Sequence, residues 1–564
     1  MHIAPQGAAA VPDSRGLNFF LSDPWGPALL RHHLPPALYA HLVPHLVALG
    51  ALVGAELDDE AAAADANPPV LLHRTRRGED IQRIAYHPAY LAMARRAFAD
   101  YGMAAMNHRA GVLGWPEPLP PIAKYAFVYL FTQSEFGLMC PVSMTDSLAR
   151  TLRRFGSPEL IARYLPALTS TDMDALLQGG MFMTEQGAGS DIANTAVLAE
   201  PAPDGTWRLF GDKWFCSNPD CGLALVLARR LEPDGQGGLA PVPAMRGVSL
   251  FLLPRDLPDG RRNAYRIVRL KEKLGSRSMA SGEIRLEGAT AWLVGDPEAG
   301  FRQMADMVNN SRLSNGVRAA GLMRRAVAEA VFVATRRIAF GRRLIEMPLM
   351  RRQLVKLILP AEQARSMMFA AAEQLRRADL GEETARRLLR IMTPLIKFRA
   401  CRDARRVAGD AMEVRGGCGY IEEFPDARIL RDAHLGSIWE GTSNIVALDV
   451  LRAAERERAL DPLAAYVAAL LGNDAEGYHA ALARAVALTR AAMADPALAR
   501  AAASALYHIT TAALLRAEGR ALPCPAREAL AELVLRHRLC PRDPLAAQDD
   551  RALTDLVLAR AAAA

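Results

Sequence analysis

The feature that most constrains the fold is a change of hydrophobic period along the chain. Between about residues 182 and 295, short β-prone runs alternate with Asp-Gly and Pro-rich turns, whereas both flanking regions show the helical spacing of apolar residues. Because the strands are confined to one block and do not alternate with helices, the pattern predicts an α+β fold. The predicted strands are 194–199, 206–217, 223–230, 247–254, 265–270 and 281–286.

The same pattern predicts four domains. We expect an N-terminal helical domain at 1–181, a middle β domain at 182–295, a C-terminal four-helix bundle at 296–455 and an extra helical appendage at 456–564. A flat ligand can be held between a sheet and a helical bundle, so we expect the binding site at that boundary. The predicted bundle helices are 301–340, 348–379, 382–408 and 444–459.

Residues 437–444 read Ser-Ile-Trp-Glu-Gly-Thr-Ser-Asn and place one carboxylate, Glu440, at a junction between a loop and a helix. Thr442, Ser443 and Asn444 can cap that helix, and its first backbone N–H groups are then available to a ligand. A carboxylate among apolar neighbours suits a general base. The alternative is that Glu440 only ends a loop before a capped helix, and the octet alone does not decide between the two.

Four other segments have the composition of ligand-binding turns. Residues 181–191 combine glycines with the hydroxyls of Thr184 and Ser190, and 211–218 form an aromatic strand that ends in hydroxyl and amide groups. Residues 337–344 are a basic helix end, and 411–420 a glycine-rich one. Each segment alone also fits a structural role, as a turn, a core aromatic or an ordinary helix end.

Together, in this order and spacing, the five motifs resemble those of the acyl-CoA dehydrogenase family over residues of about 90–455. That resemblance implies an N-terminal helical domain, a middle β-barrel-like domain and a C-terminal four-helix bundle, with FAD bound between them and across a subunit interface. Within the family, the chain is most similar to the AidB-like branch, flavoproteins of the adaptive response to DNA alkylation. The features that carry this closer similarity are 66–69, His87-Pro88, 258–264, 348–351, 412–414, Trp439 and the appendage.

The resemblance implies specific roles for residues of these motifs. Glu440 is the expected catalytic base, because the other base position known in the family is occupied here by Ser311, which cannot serve. Substrate contacts are expected from Ser190, Asn309 and Arg312. The residues expected to contact FAD are Met183, Thr184, Gly189, Ser190, Phe215, Cys216, Ser217, Arg337, Phe340, Gly416, Gly417, Trp439, Gly441, Thr442 and Asn444.

The implied reaction is α,β-dehydrogenation of an acyl-CoA thioester, with reduced FAD passing its electrons to an unidentified acceptor. Three residues depart from the family pattern and put turnover of ordinary acyl-CoA substrates in doubt. Pro348 and Glu413 each replace a glutamine, and Asn309 replaces an aspartate. Since the family's FAD site spans subunits, we expect a homodimer or a homotetramer.

Two other functions stay open at this point. The AidB-like resemblance allows a flavoprotein that binds duplex DNA and protects it against alkylation, with little acyl-CoA turnover. Residues 301–356 contain 12 basic and three acidic residues, which suits phosphate, but residues 452–564 contain 14 Arg and 13 acidic residues and are nearly neutral. A flavin-free scaffold that keeps the fold is the third possibility.

Bulk properties add weaker expectations. The net charge is +7, which is compatible with anionic ligands. Seven scattered cysteines without a C-x-x-C pair indicate neither a disulfide framework nor a metal site. We expect no membrane-spanning segment of about 18 uncharged apolar residues and no signal peptide, and therefore a cytoplasmic protein that does not bind membranes.

Overall fold

The computed structural model describes residues 11–541, 543, 545 and 549–563. The first predicted domain is mainly helical, and the outermost residues of the first and last predicted domains lie outside the described residues. Several helices of this N-terminal domain begin with proline, whose fixed φ suits the first turn. They are α1 (Gly26–His33), α2 (Pro36–Val53), α3 (Glu56–Ala66), α4 (Pro88–Arg95), α5 (Pro121–Phe131), α6 (Met139–Phe155) and α7 (Pro158–Leu168).

A β-hairpin that the sequence did not predict interrupts this helical domain. Strands β1 (Val70–Arg74) and β2 (Asp80–Ala85) pair antiparallel around a turn in which Gly78 has a φ of 87°. Ile84 packs in a small core with Ile267 and Ala280 of the middle domain. The hairpin is therefore stabilised by tertiary contacts that no local hydrophobic period reveals.

Helix α2 contradicts the expectation that no apolar segment is long enough to cross a membrane. Its 18 residues have a mean hydropathy of 1.5 and meet the length and composition of a span. However, Leu38, Leu42, Leu46 and Leu49 form a buried row at helical spacing, and the helix packs against α5. One such helix is also what a core helix of a globular domain looks like.

The middle domain is a closed sheet. Strands β5, β4, β6, β8 and β10 pair in that order, and β10 pairs back with β5, so the strands form a barrel around a core that includes Leu209, Val226 and Ile284. This confirms the predicted barrel-like domain. The strands are β3 (Gly179–Phe182), β4 (Leu198–Pro201), β5 (Trp207–Ser217), β6 (Leu223–Pro233), β7 (Leu239–Pro241), β8 (Val248–Pro254), β9 (Tyr265–Leu270) and β10 (Ser281–Leu293).

The C-terminal bundle is built on three long helices and closed by a shorter one. These are α8 (Gly300–Arg336), α9 (Pro348–Asp379), α10 (Glu383–Arg415) and, after α11 (Asp426–Leu435), α12 (Ser443–Arg456). The prediction that the first helix continues to residue 340 is wrong. Phe340 and Gly341 both have positive φ and form the turn of a hairpin between β11 (Ile338–Ala339) and β12 (Arg342–Arg343).

The appendage packs against the bundle. Helix α15 contacts α9, α10 and α12, and its buried residues continue the large core of the bundle and the N-terminal domain. The α+β fold, with helical domains on both sides of a β domain, is thus confirmed. The appendage helices are α13 (Leu460–Leu471), α14 (Glu476–Ala494), α15 (Ala499–Ala521), α16 (Pro525–Val534) and α17 (Arg551–Ala561).

Candidate functional site

Glu440 lies in the short loop between α11 and α12, and its backbone is in the left-handed region. The φ angles of Glu440 and Gly441 are 57° and 103°. A non-glycine residue with positive φ is strained, and such a conformation persists only where the surroundings hold it in place. The strain at Glu440 therefore directs attention to what holds this loop.

Two cations, one of them buried, hold the loop by its carbonyl groups. Arg312 of α8 donates from Nε to the Glu440 carbonyl at 2.9 Å, and Lys397 of α10 donates from Nζ to the Gly441 carbonyl at 2.6 Å. Burial lowers the pKa of Lys397 to about 8, against the opposing influence of Cys401 and Glu440. Two bundle helices thus fix successive peptide units on either side of the strained position.

The two carboxylate oxygens of Glu440 have different surroundings. The Ser311 hydroxyl donates to Oε1, whereas Oε2 is buried and has no hydrogen-bond partner among the described residues. A buried carboxylate oxygen without a donor is costly in free energy, and such sites are commonly functional. Oε2 is consequently the oxygen available to take a proton.

Arg312, which the resemblance assigns to substrate binding, has its guanidinium engaged within the chain. Besides the Glu440 carbonyl it contacts Asp449 at 2.9 Å, and Arg390 shares that carboxylate at 2.7 Å. Asn309 lies one helical turn before Arg312, with 3.5 Å between Oδ1 and Nη1. The geometry gives Arg312 a positioning role for the Glu440 loop, while its contact with substrate stays a prediction.

The predicted flavin-facing residues of the middle domain lie on neighbouring strands. Thr184 accepts a backbone hydrogen bond from Trp214 at 2.8 Å, and Met181 pairs with Ser217. A buried ion pair of 2.6 Å between Lys213 and Glu185 anchors the loop after β3. Met183, Thr184, Phe215 and Ser217 are thereby brought together at one edge of the sheet, and Gly189 and Ser190 are exposed beside it.

The Cys216 side chain does not belong to this surface. Phe215 is 54% exposed, but Cys216 is 0% exposed and packs in the core of the β domain. Successive side chains of a strand point to opposite faces, so the face that presents Phe215 and Ser217 cannot also present the Cys216 thiol. The Cys216 thiol therefore does not contribute to this surface, and a contact of Cys216 with a cofactor stays a prediction for its backbone.

The next predicted group surrounds the hairpin after α8. Arg337 donates from Nη1 to the Arg415 carbonyl at 2.8 Å and lies against Gly416, which has a φ of 74°. Gly417 is exposed next to it. Phe340 is 95% exposed at the hairpin turn, so it contacts almost nothing of its own chain. The structure brings Arg337 and Gly416 together and leaves Phe340 projecting outward.

The last of the residues expected to contact FAD lie at the N-terminus of α12 and just before it. Thr442 is the residue that precedes the helix, and its hydroxyl makes no capping hydrogen bond. Asn444 is exposed, and Arg500 of the appendage approaches its Oδ1 at 3.5 Å. Trp439, the residue before the base, stacks against Phe136 with ring centroids 5.7 Å apart. A helix start with free hydroxyl and amide groups suits a phosphate or ribityl group.

Sequence reasoning missed three side chains of this site. Ser311 was considered only as a residue that cannot be the base, and neither Lys397 nor Arg318 was assigned a role. Ser311 and Arg318 are seven residues apart on α8 and so lie on one helix face, a spacing that could have pointed to Arg318. No local pattern marks Lys397, because its contact with Gly441 depends on how α10 packs.

Three family sequence models match consecutive parts of the chain. The Adaptive response protein AidB N-terminal domain matches residues 10–175, the Acyl-CoA dehydrogenase, middle domain matches 180–289, and the Acyl-CoA dehydrogenase, C-terminal domain matches 298–455.

Individual relatives agree with these matches. AidB of Escherichia coli (strain K12) is 35% identical over 73% of this chain and 74% of its own length. Acyl-CoA dehydrogenase family member 11 of Caenorhabditis elegans is 31% identical over 81% of this chain and 74% of its own.

Among solved structures, Caenorhabditis elegans ACDH-11 in complex with C11-CoA superposes with a TM-score of 0.86. It is 28% identical, with 97% of this chain and 95% of that chain covered. The apo-form of Bd2924 gives a TM-score of 0.82 at 29% identity and covers 91% of this chain and 100% of its own.

Acyl-CoA dehydrogenases are FAD-dependent flavoproteins, and the geometry above fits that cofactor. Phe215 offers an exposed aromatic face, an added Cβ at Gly189 would meet nothing within 4 Å, and the hydroxyl of Thr442 is free. These groups line an edge of the β domain and the start of a bundle helix, as a flat cofactor with a diphosphate tail requires. The chain belongs to the AidB-like branch of the acyl-CoA dehydrogenase family, and FAD is its cofactor.

Proposed function

We propose that the chain catalyses α,β-dehydrogenation of an acyl-CoA thioester, with Glu440 as the base. The observation that carries this proposal is Oε2 of Glu440, a buried oxygen without a hydrogen-bond partner among the described residues, in a strained loop held by Arg312 and Lys397. A positioned base typically contributes about 10²- to 10⁴-fold to the rate of proton transfer.

Glu440 Oε2 takes the α-proton of the acyl group, and the product is a trans-2-enoyl thioester. Bound FAD supplies the oxidising power, since it accepts the β-hydrogen as hydride. Within the part of the chain that the structure describes, no acceptor is bonded to the backbone N–H of Glu440. That N–H can donate to the thioester carbonyl and make the α-proton more acidic.

Ser311 supports the base. Its hydroxyl donates to Oε1, so the carboxylate keeps one orientation while Oε2 remains available. In the family, some members place the base at this position of the helix, and a serine hydroxyl cannot replace a carboxylate there. The Ser311 contact instead orients the carboxylate of Glu440.

The exposed hairpin favours an assembly of subunits. Phe340 projects from the chain, and Arg337 lies beside Gly416 and Gly417, the residues assigned to the FAD of a neighbouring subunit. We infer a homodimer or homotetramer in which each hairpin contributes to a neighbour's cofactor site. A chain that stays monomeric in light scattering after loading with FAD would rule out this shared site.

The test of the main proposal is anaerobic addition of acyl-CoA thioesters to the FAD-loaded protein. Bleaching of the oxidised flavin band, together with a product two hydrogens lighter by mass spectrometry, is the expected result. The panel should include short, branched and long acyl chains and carboxylate-bearing ones. If no member of the panel bleaches the flavin, the proposal fails.

A second candidate function, binding of duplex DNA, is favoured by one group of arginines. Arg402 and Arg405 of α10 lie on the same side as Arg500, and after burial it is the like charge of Arg500 that most lowers the pKa of Arg402. Such an uncompensated cluster suits a phosphate backbone, and affinity should fall steeply with salt. A mobility shift that is absent even at low salt would exclude it.

Several of the basic residues at 301–356 are, however, already paired with carboxylates of the same chain. Arg312, Arg324, Arg325, Arg343 and Arg351 each form an ion pair with a carboxylate. The charge count of that stretch therefore adds little to the case for DNA, which depends on the arginine cluster of α10 and α15.

A further inference from the structure

Arg318 of α8 is a buried arginine that forms no ion pair with any of the described residues. Its side chain is 0% exposed, and both terminal guanidinium nitrogens lack a hydrogen-bond partner among the described residues. Within the described part of the chain, its one hydrogen bond runs from Nε to the Ser314 carbonyl at 3.4 Å, in the same helix. A buried charge is costly in free energy unless it is paired, so this guanidinium calls for an explanation.

Two aromatic rings surround the charge without neutralising it. The guanidinium carbon of Arg318 lies 4.8 Å from the ring centroid of Trp439 and 5.3 Å from that of Phe136. Both distances are within the range of cation–π interactions, which favour a cation but leave its N–H groups free to donate. The Trp439 indole N–H is likewise buried and unpartnered within the described part of the chain.

These free donors lie next to the proposed base. Trp439 directly precedes Glu440, and Ser311, which contacts Glu440, lies two helical turns before Arg318 on the same face of α8. A helical side chain leans toward the N-terminus, which directs the Arg318 guanidinium toward Ser311. Arg318, Trp439 and Glu440 therefore form one continuous group of functional side chains.

The charges in this group do not balance. Arg318 and Lys397 are both buried beside Glu440, and Arg312 is already paired with Asp449, a carboxylate that it shares with Arg390. No salt bridge joins Arg318 to Glu440 in the described chain, and one carboxylate cannot offset two cations. When Glu440 accepts a proton, it loses its charge and the local excess of positive charge increases.

We propose that Arg318 selects acyl-CoA thioesters whose acyl group carries a carboxylate, which binds the free guanidinium nitrogens and the Trp439 indole N–H. This inference rests on the proposed function, because it places an acyl group at Glu440. The substrate carboxylate neutralises Arg318 and remains charged while Glu440 takes the α-proton. An alkyl chain at the same place would bury apolar carbon against an unpaired cation.

A substrate meets the same obstacle at Glu440 and at Arg318, because both groups are shielded from solvent. Oε2 of Glu440 and both terminal nitrogens of Arg318 are closed off from solvent in the chain. Any acyl group that reaches Glu440 must move neighbouring side chains. The Trp439 ring belongs to the residue next to Glu440 and lies 4.8 Å from the guanidinium carbon of Arg318. A substrate that opens the site for Glu440 therefore also reaches Arg318.

The test compares matched pairs of thioesters on the FAD-loaded full-length protein by isothermal titration calorimetry. Succinyl-, glutaryl- and adipoyl-CoA are each paired with the alkyl analogue in which an isopropyl group replaces the carboxylate, such as 5-methylhexanoyl-CoA for glutaryl-CoA. We expect the best carboxylate thioester to bind about 10- to 100-fold more tightly than its analogue, as charged hydrogen bonds imply. Equal or tighter binding of every alkyl analogue overturns the inference.

Two variants locate the effect. Arg318→Met keeps an unbranched apolar side chain without the guanidinium and should abolish the preference, whereas Arg302→Met, at an exposed position on the same helix, should keep it. A preference that survives in Arg318→Met contradicts the inference. If that variant does not fold, the comparison within the wild-type protein still decides.

Flavin bleaching separates this inference from the proposed function. Bleaching by alkyl thioesters without any preference for carboxylates leaves the proposed function standing and removes the role of Arg318. Tight, Arg318-dependent binding of a carboxylate thioester without bleaching supports the inference as a binding preference and counts against dehydrogenation.

Discussion

Buried arginines at two places in this protein differ in how their charge is compensated. Where the appendage meets the bundle, Arg365 bonds Asp23 at 2.5 Å and Glu362, and Arg527 bonds Glu362 at 2.9 Å and Glu518. At the Glu440 site, Arg318 is buried to the same degree but has aromatic rings in place of carboxylates.

The paired arginines join distant parts of the chain. Asp23 comes from the N-terminal domain, Glu362 and Arg365 from α9, Glu518 from α15 and Arg527 from α16. Because every carboxylate there faces a guanidinium, the charges are compensated without any ligand and the role of the network is structural. The difference teaches that burial alone does not mark function in this molecule. What distinguishes Arg318 is a buried guanidinium with no carboxylate bonded to it among the described residues.

The largest effect is expected at the Glu440 site. Glu440→Gln keeps the size of the side chain and an oxygen for the Ser311 hydroxyl, but removes the base. Turnover of the best acyl-CoA should fall by about 10²- to 10⁴-fold. Stopped-flow reduction of the flavin measures this, and an unchanged melting temperature (Tm) is the control. Turnover within twofold of wild type would show that another group takes the proton.

A substitution in the paired arginine network should lower the stability of the protein and leave its preference among thioesters unchanged. Arg527→Met leaves the Glu362 and Glu518 carboxylates buried with fewer partners, and breaking a buried pair typically costs about 3–5 kcal/mol. We expect a fall in Tm of about 3–4 °C in differential scanning calorimetry. The preference among thioesters should be unchanged.

The control for Arg527 is Arg536→Met, which breaks a solvent-exposed pair with Glu532 and should change Tm little. Equal losses of stability in the two variants would mean that burial of the network does not matter.

A smaller effect is expected at Ser311. Ser311→Ala removes the donor to Oε1 of Glu440 but leaves the base and Arg318 in place. We expect the rate of flavin reduction to fall about tenfold, as loss of one hydrogen bond to a charged group implies, with little change in thioester affinity. Ser311→Thr, which retains the hydroxyl, should recover part of the rate. A larger loss in affinity than in rate would show that Ser311 contacts substrate.

Lys397 provides the smallest effect, through pH. Its pKa of about 8 in the folded protein is below the ordinary lysine value. The folded protein therefore releases this proton at a lower pH than the unfolded chain does. The stability of the wild type relative to Lys397→Met should therefore rise between pH 8 and about pH 10. Differential scanning of both proteins from pH 7 to 10 should show Tm differences that grow by a few degrees in favour of the wild type. A constant difference would place the lysine pKa outside this window.

The sequence predicted more of the fold than of the site. The order of helical, β and helical domains follows from hydrophobic period, and the octet at 437–444 identified Glu440. Local patterns did not reveal the β1–β2 hairpin, which depends on Ile84 packing against another domain, or the end of α8 at Arg336. Strand alternation also turns the Cys216 side chain into the core, away from its neighbours Phe215 and Ser217.

The missed site residues have a common cause. Ser311, Lys397 and Arg318 meet the Glu440 loop from two long helices, and the contact of each depends on how α8 and α10 pack around residues 436–442. A single sequence shows which face of a helix is apolar, but not which partner a buried polar side chain meets. The unpaired state of Arg318 is visible only when all its neighbours are known.

The most direct test of the account is exchange of the substrate α-proton in D₂O, because it reports the base without an electron acceptor. Wild-type protein loaded with FAD and mixed anaerobically with glutaryl-CoA should incorporate deuterium at the α-carbon of the thioester or release product that has lost that proton. Glu440→Gln should do neither within the same time. Exchange at the wild-type rate in Glu440→Gln would contradict the assignment of Glu440 as the base.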